Sequence, residues 1–166
     1  GRSASHIALE CALQAQPNVC LISEEVEAKN MTLNEVVEQI VEVIVERANA
    51  GLNFGTILIP EGLIEFIPAM RVLIQELNDM LAENEEFAAL EGDDAKREYV
   101  KSMLTPASCE LYRSLPKGIA RQLTLDRDPH GNVMVSQIET EKLLIEMVQK
   151  RLAVLKANGE YKGKFS

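Results

Sequence analysis

Apolar positions along the chain follow two rhythms. Between Thr32 and Gly51, the residues Leu33, Val36, Val37, Ile40, Val41, Ile44, Val45 and Ala48 recur at three- and four-residue spacing, the mark of a helix with one buried face. The stretch opens on Thr32-Leu33-Asn34-Glu35, a capping box that satisfies backbone donors at the first turn. Gly51 closes it. Two short unbroken apolar runs flank this helix, Val19-Cys20-Leu21-Ile22 and Thr56-Ile57-Leu58-Ile59, and both suit buried strands. Ahead of the first run, residues 3–15 predict a helix carrying Ile7, Leu9, Cys11, Ala12 and Leu13 and stopped by Pro17. Glu24 and Glu25 follow the first strand, and Pro60-Glu61-Gly62 ends the second. The order helix, strand, helix, strand implies parallel strands joined by helical crossovers. Ligands of such sheets gather at the carboxyl ends of the strands, which is where Glu61 falls.

Beyond residue 63 the helical rhythm dominates. Pro68 opens a helix striped by Ile67, Met70, Ile74, Leu77 and Leu81. Residues 83–94 are acidic and read as a surface loop or helix end. Ala95 to Leu104 predicts a helix, and Thr105-Pro106 caps another that Pro116 to Gly118 ends. Gln122-Leu123-Thr124-Leu125 and Val133-Met134-Val135 are β-like runs around the turn formers Asp128-Pro129-His130-Gly131-Asn132, so a hairpin is expected near 122–135. Ser136-Gln137-Ile138-Glu139 forms a second capping box. The helix after it carries Ile138, Ile145, Val148, Leu152 and Leu155 and ends near Asn158-Gly159. There are no internal repeats and no low-complexity tract. The pattern is an α/β portion over 1–66 followed by a mainly helical portion over 67–166 with one small β-hairpin.

Composition narrows the chemistry. A chain of 166 residues with 46% apolar and 26% charged side chains can bury a core. No apolar run approaches the roughly 20 residues of a membrane helix, and the N-terminus has no signal-peptide pattern. A net charge of −9 disfavours nucleic acid and membrane surfaces as partners. An anionic ligand must therefore be met by a local cluster of donors. Three cysteines without metal-type spacing and two histidines give no zinc site and suit reduced thiols in the cytoplasm. The start without Met and the stop at Gly163-Lys164-Phe165-Ser166 read as cut ends.

Two segments carry chemistry. In Gly1-Arg2-Ser3-Ala4-Ser5, glycine lets backbone approach a ligand, the helix start favours an anion, and Arg2 can fork onto a phosphate. A capped helix with a solvated arginine is the plainer account of the same residues. In Pro60-Glu61-Gly62, a carboxylate at a strand end can accept from sugar hydroxyls, or simply face water. His6 lies one helical turn from both Arg2 and Glu10; it reaches toward a bound phosphate or, more plainly, pairs with the acid. Met70, Met80, Met103, Met134 and Met147 read as packing residues. Cys11 and Cys20, in apolar runs, read as inert.

Longer stretches are more specific. Gly1-Arg2-Ser3-Ala4-Ser5-His6-Ile7-Ala8-Leu9-Glu10 resembles the Met-Gly-Arg segment of phosphofructokinases as it continues in the pyrophosphate-dependent branch. Ile57-Leu58-Ile59-Pro60-Glu61-Gly62-Leu63-Ile64-Glu65-Phe66-Ile67-Pro68 resembles that branch's strand-and-loop segment. Leu125-Asp126-Arg127-Asp128-Pro129-His130-Gly131-Asn132-Val133 and Ile138-Glu139-Thr140-Glu141-Lys142-Leu143-Leu144 are similar to the insertion of its long form. The resemblance implies a piece of the second half of a phosphofructokinase-type domain with a helical insertion. It implies reversible phosphoryl transfer between pyrophosphate and fructose 6-phosphate by a homo-oligomeric, cytoplasmic, glycolytic parent using Mg2+. It places Gly1 and Arg2 on the sugar phosphate and Glu61 on the sugar hydroxyls.

The Gly-Gly-Asp phosphate loop, the Thr-Ile-Asp-Gly-Asp segment with its aspartate base, and the Tyr-Glu-Gly-Arg segment are absent from this chain. Phosphoryl transfer depends on positioning and charge neutralisation, so the isolated chain is expected to lack catalytic and metal-binding residues and to be inactive. The alternative is a non-catalytic regulatory or interaction module of the same ancestry.

Overall fold

The structure, a computed structural model, describes residues 5–82 and 84–163. The chain opens with α1 (Ser5–Ala15), β1 (Val19–Cys20), α2 (Ser23–Ala28), α3 (Leu33–Asn49) and β2 (Ile57–Leu58), followed by a 3-10 turn at Leu63–Phe66. The strands pair in parallel with Val19 opposite Ile57 and Cys20 opposite Leu58. The Asn18 amide donates to Thr56 O (2.8 Å) and the Leu21 amide to Leu58 O (3.0 Å), extending the pairing at both ends. The strands are shorter than the apolar runs that mark them, and after β1 the chain already enters α2 at Ser23. Glu24 and Glu25 therefore lie in the first turn of a helix that the sequence pattern did not reveal.

The helix over Leu33–Asn49 forms as its periodicity predicts. The Glu35 amide donates to Thr32 Oγ1 (3.2 Å) and the Thr32 amide to Glu35 Oε2 (3.3 Å), so both arms of the capping box are made. Leu33, Val36, Val37, Ile40 and Val41 are buried. Gly51, with φ 80°, ends the helix in a left-handed conformation that suits glycine.

Next come α4 (Pro68–Leu81), α5 (Glu85–Ala89), α6 (Asp93–Met103), α7 (Pro106–Ser114) and α8 (Lys117–Leu125). Residues 68–139 form one compact unit, centred on Met70, Leu73, Leu77, Val100, Tyr112 and Leu123. Proline opens α7, but the Thr105 side chain does not cap it. Glu76 of α4 does: Oε2 accepts from the Thr105 amide (3.2 Å), and Oε1 accepts from Thr105 Oγ1 (2.7 Å) and Ser108 Oγ (3.0 Å).

α7 ends at Ser114, directly ahead of Pro116, but Pro116 also caps a further helix, α8, and Gln122–Leu125 is its last turn, not a strand. Four residues cannot separate a period of 2 from one of 3.6. Here burial of Ile119, Ala120, Leu123 and Thr124 imposes the helical one. The expected hairpin is reduced to a single antiparallel bridge, Arg127 with Val133, around the Asp128–Asn132 turn. Arg127 is half-buried and holds that turn by donating to Gly131 O (2.7 Å) and Leu123 O (3.1 Å). Burial pushes its guanidinium down to about 10.

Ser136–Glu139 is not a capping box. Val135–Gln137 is a 3-10 turn, and α9 begins at Thr140 and runs to Ala157. This helix packs on α3, so residues 140–166 belong with 1–67 as the other compact unit. Arg151 Nε donates to Glu38 Oε1 across the two helices (2.5 Å). Among the described residues, no helix is long and apolar enough to cross a membrane.

Candidate functional site

Parallel strands direct their carboxyl ends to one side, and this chain sets an acid beyond each of them. Beyond β2, Pro60 is buried and its carbonyl accepts from the Leu63 amide (3.3 Å). Gly62, with φ 77°, turns the chain into the 3-10 segment. The turn leaves Glu61 between a buried proline and a left-handed glycine, with its side chain exposed. Beyond β1 come Ser23, Glu24 and Glu25. Counted from the paired residues Cys20 and Leu58, Ser23 and Glu61 each stand three positions on. α2 packs against the 3-10 turn, which keeps the two strand exits side by side.

Glu24 and Glu25 are exposed, and Lys29 pairs with Glu25 one turn along. Ser23 is fully buried, and its hydroxyl has no hydrogen-bond partner among the described residues. Sequence reasoning singled out Glu61 and passed over Glu24. The signal for Glu24 was an acid directly after an apolar run, the same signal that Glu61 gave.

Gly1 and Arg2 lie outside the described residues, as does the side chain of His6, so their placement beside Glu61 rests on the sequence. Of the acids in 83–94, Asp93 and Asp94 meet cations on the surface: Arg121 Nε donates to Asp93 (3.0 Å), and Arg97 pairs with Asp94. Met70 is in the core, whereas Met103 is 57% exposed. Burial pushes the Cys20 thiol up, which favours its inert form. Cys11 is exposed despite its apolar run. No three His, Cys, Asp or Glu side chains among the described residues converge so as to hold a metal ion.

The arrangement can accept hydrogen bonds from a polyol at Glu61 and Glu24. Comparison with known proteins gives that chemistry a context. Over its whole length the chain is 57% identical to the pyrophosphate–fructose 6-phosphate 1-phosphotransferase of Porphyromonas gingivalis and spans 30% of that protein. It is 54% identical to the protein of the same name from Treponema pallidum, spanning 29% of it. Over 99% of its length it is 52% identical to the beta subunit of the Solanum tuberosum enzyme, spanning 28%. No protein-family model matches the chain. The chain thus spans about 30% of the length of the curated relatives it matches. With more than half of its residues shared from end to end, it belongs to the family of pyrophosphate-dependent phosphofructokinases.

Proposed function

We propose that this chain supplies part of the sugar-phosphate site of an enzyme that moves a phosphoryl group reversibly between pyrophosphate and fructose 6-phosphate. The reading places it in the cytoplasm, within a homo-oligomeric parent. The observation that carries it is identity of 57% along the entire chain to a phosphotransferase of that name. Arg2 binds the sugar phosphate as a bidentate donor, and the Gly1 backbone approaches it closely. Glu61 accepts from the sugar hydroxyls. Glu24, on the neighbouring strand exit, is the competing acceptor for the same hydroxyls. When bound, Mg2+ neutralises charge on the pyrophosphate; its ligands are assigned outside this chain. Alone, the chain orients a sugar phosphate at best and does not turn it over.

The test is made in the full-length protein, with the Michaelis constants for fructose 6-phosphate and for pyrophosphate measured separately. Arg2→Ala removes a charge-assisted bond of about 1.5–3 kcal/mol, so the constant for the sugar phosphate should rise roughly tenfold to a hundredfold. Glu61→Gln should raise it by a smaller factor and leave the pyrophosphate constant unchanged. If Glu24→Gln has that effect and Glu61→Gln does not, the hydroxyl acceptor is Glu24. If none of the three variants moves the sugar-phosphate constant, the site assignment fails. The isolated 166-residue chain should show no turnover with both substrates and Mg2+, and should bind fructose 6-phosphate no tighter than about 10 μM.

A further inference from the structure

A cavity of about 340 Å3 lies in the unit formed by 1–67 and 140–166, at the amino ends of the strands and so at the opposite pole from Glu61. Ile44 of α3 and Val148 and Leu152 of α9 form its apolar walls, and the loop from Leu52 to Gly55 forms its rim. The rim is built to hold one shape. Arg47 donates from Nε and Nη2 to Phe54 O (3.0 and 2.8 Å), and its guanidinium lies 5.4 Å from the centre of the Phe54 ring. The Thr56 amide donates to Asn18 Oδ1 (2.9 Å), and Gly55 makes room for that contact: a Cβ there would sit 2.8 Å from the same oxygen. Yet the side chains so held are turned to water. Phe54 is 73% exposed, and Ile145 and Leu52 at the cavity mouth are 51% and 40% exposed.

We propose that this cavity and its rim are a seat for a further stretch of the same polypeptide, an apolar segment from the part of the relatives' length that this chain does not span. A small ligand would fill the hollow and still leave the rim wet. A segment of chain covers hollow and rim together, and a rim already fixed by Arg47 and Asn18 loses little conformational entropy when it is covered. The relatives supply the length, being more than three times as long as this chain on a 30% share. Among its described residues the helical unit of 68–139 shows only Val72 and Met103 as exposed large apolar side chains, so the exposure is not general to the molecule. The inference stands whichever substrate the strand ends take.

The experiment is hydroxyl-radical footprinting of the unmodified full-length protein, read at Phe54 by mass spectrometry against the denatured protein. Phe54 should be oxidised at least about tenfold more slowly in the folded protein, as befits a side chain in the dry centre of an interface. Protection below that overturns the proposal. Protection that disappears on dilution assigns the seat to a second copy of the protein and overturns it too. As an independent measure, Phe54→Asp in the full-length protein should lower the melting temperature by several degrees. An unchanged or raised melting temperature means that Phe54 stays in water, and the seat is then empty.

Discussion

The unit built from 68–139 finishes its own surface, and the unit built from 1–67 with 140–166 does not. In the first, α4, α7 and α8 bury Met70, Leu73, Leu77, Tyr112 and Leu123, and among the described residues only Val72 and Met103 stand out as large exposed apolar side chains. In the second, Ile7, Leu9 and Leu13 of α1, Leu52 and Phe54 of the α3–β2 loop, and Ile145 and Val154 of α9 are all exposed. The difference follows from what each unit is made of. A helix satisfies its backbone internally and needs cover for one stripe only. A parallel sheet needs cover on both faces and partners at both edges, and a pair of two-residue strands supplies neither.

The sharpest test of that contrast is core truncation in the finished unit. Leu73→Ala removes a fully buried side chain and should cost about 2–5 kcal/mol, measured by denaturant unfolding of the full-length protein. A cost below 1 kcal/mol would mean that the helical unit is loosely packed and the contrast is false.

Next in size is Gly163→Ala in the unfinished unit. A Cβ there would collide with the Tyr161 ring and hydroxyl, and Tyr161 is buried, so crowding should cost about 1–3 kcal/mol by the same measurement. A neutral result would show that this end of the unit is free to rearrange.

Glu76→Ala strips the cap from α7 and should cost about 1 kcal/mol. Burial pushes the Glu76 carboxyl up, but the bonds from the Thr105 hydroxyl and amide and from the Ser108 hydroxyl together outweigh it and hold it below the ordinary glutamate range. A carboxyl depressed on folding contributes stability that is present above its unfolded value and lost as pH falls through its folded one. Glu76→Gln should therefore flatten the acid side of the stability curve below about pH 4.5; an unaltered curve would remove Glu76 from the account.

The smallest effect is expected at Thr32→Ala, where the loss of one capping box in the unfinished unit should cost about 0.5–1 kcal/mol. Thermal unfolding of the full-length protein would register it as a shift of a few degrees or less.

Legibility in the sequence tracks the same contrast. The capping box at Thr32, the helix through Ile40, the proline start at Pro68 and the left-handed glycine at Gly51 are local devices, and each stands where its residues place it. The parallel pair was readable from two apolar runs around one amphipathic helix. What escaped was set by contacts distant in sequence. Gln122–Leu125 becomes helical because Leu123 and Thr124 are buried together, with the Thr124 hydroxyl 2.7 Å from that of Tyr112. α2 is too short to show a period, so the sequence shows Glu24 and Glu25 only as acids that follow a strand. Of the candidate site, the position of Glu61 beyond β2 was legible because Pro60 and Gly62 bracket it, whereas Gly1 and Arg2 fall outside the described residues.

The carboxylate of Glu76 has one more consequence. It caps α7 from 29 residues upstream: Pro106 sets the first helical residue locally, but the Thr105 amide and the Ser108 hydroxyl find their acceptor only once α4 is in place. A helix that borrows its cap cannot fray alone, nor form alone. The segment around Pro106 should therefore exchange its amide hydrogens in step with α4, as one cooperative block rather than turn by turn.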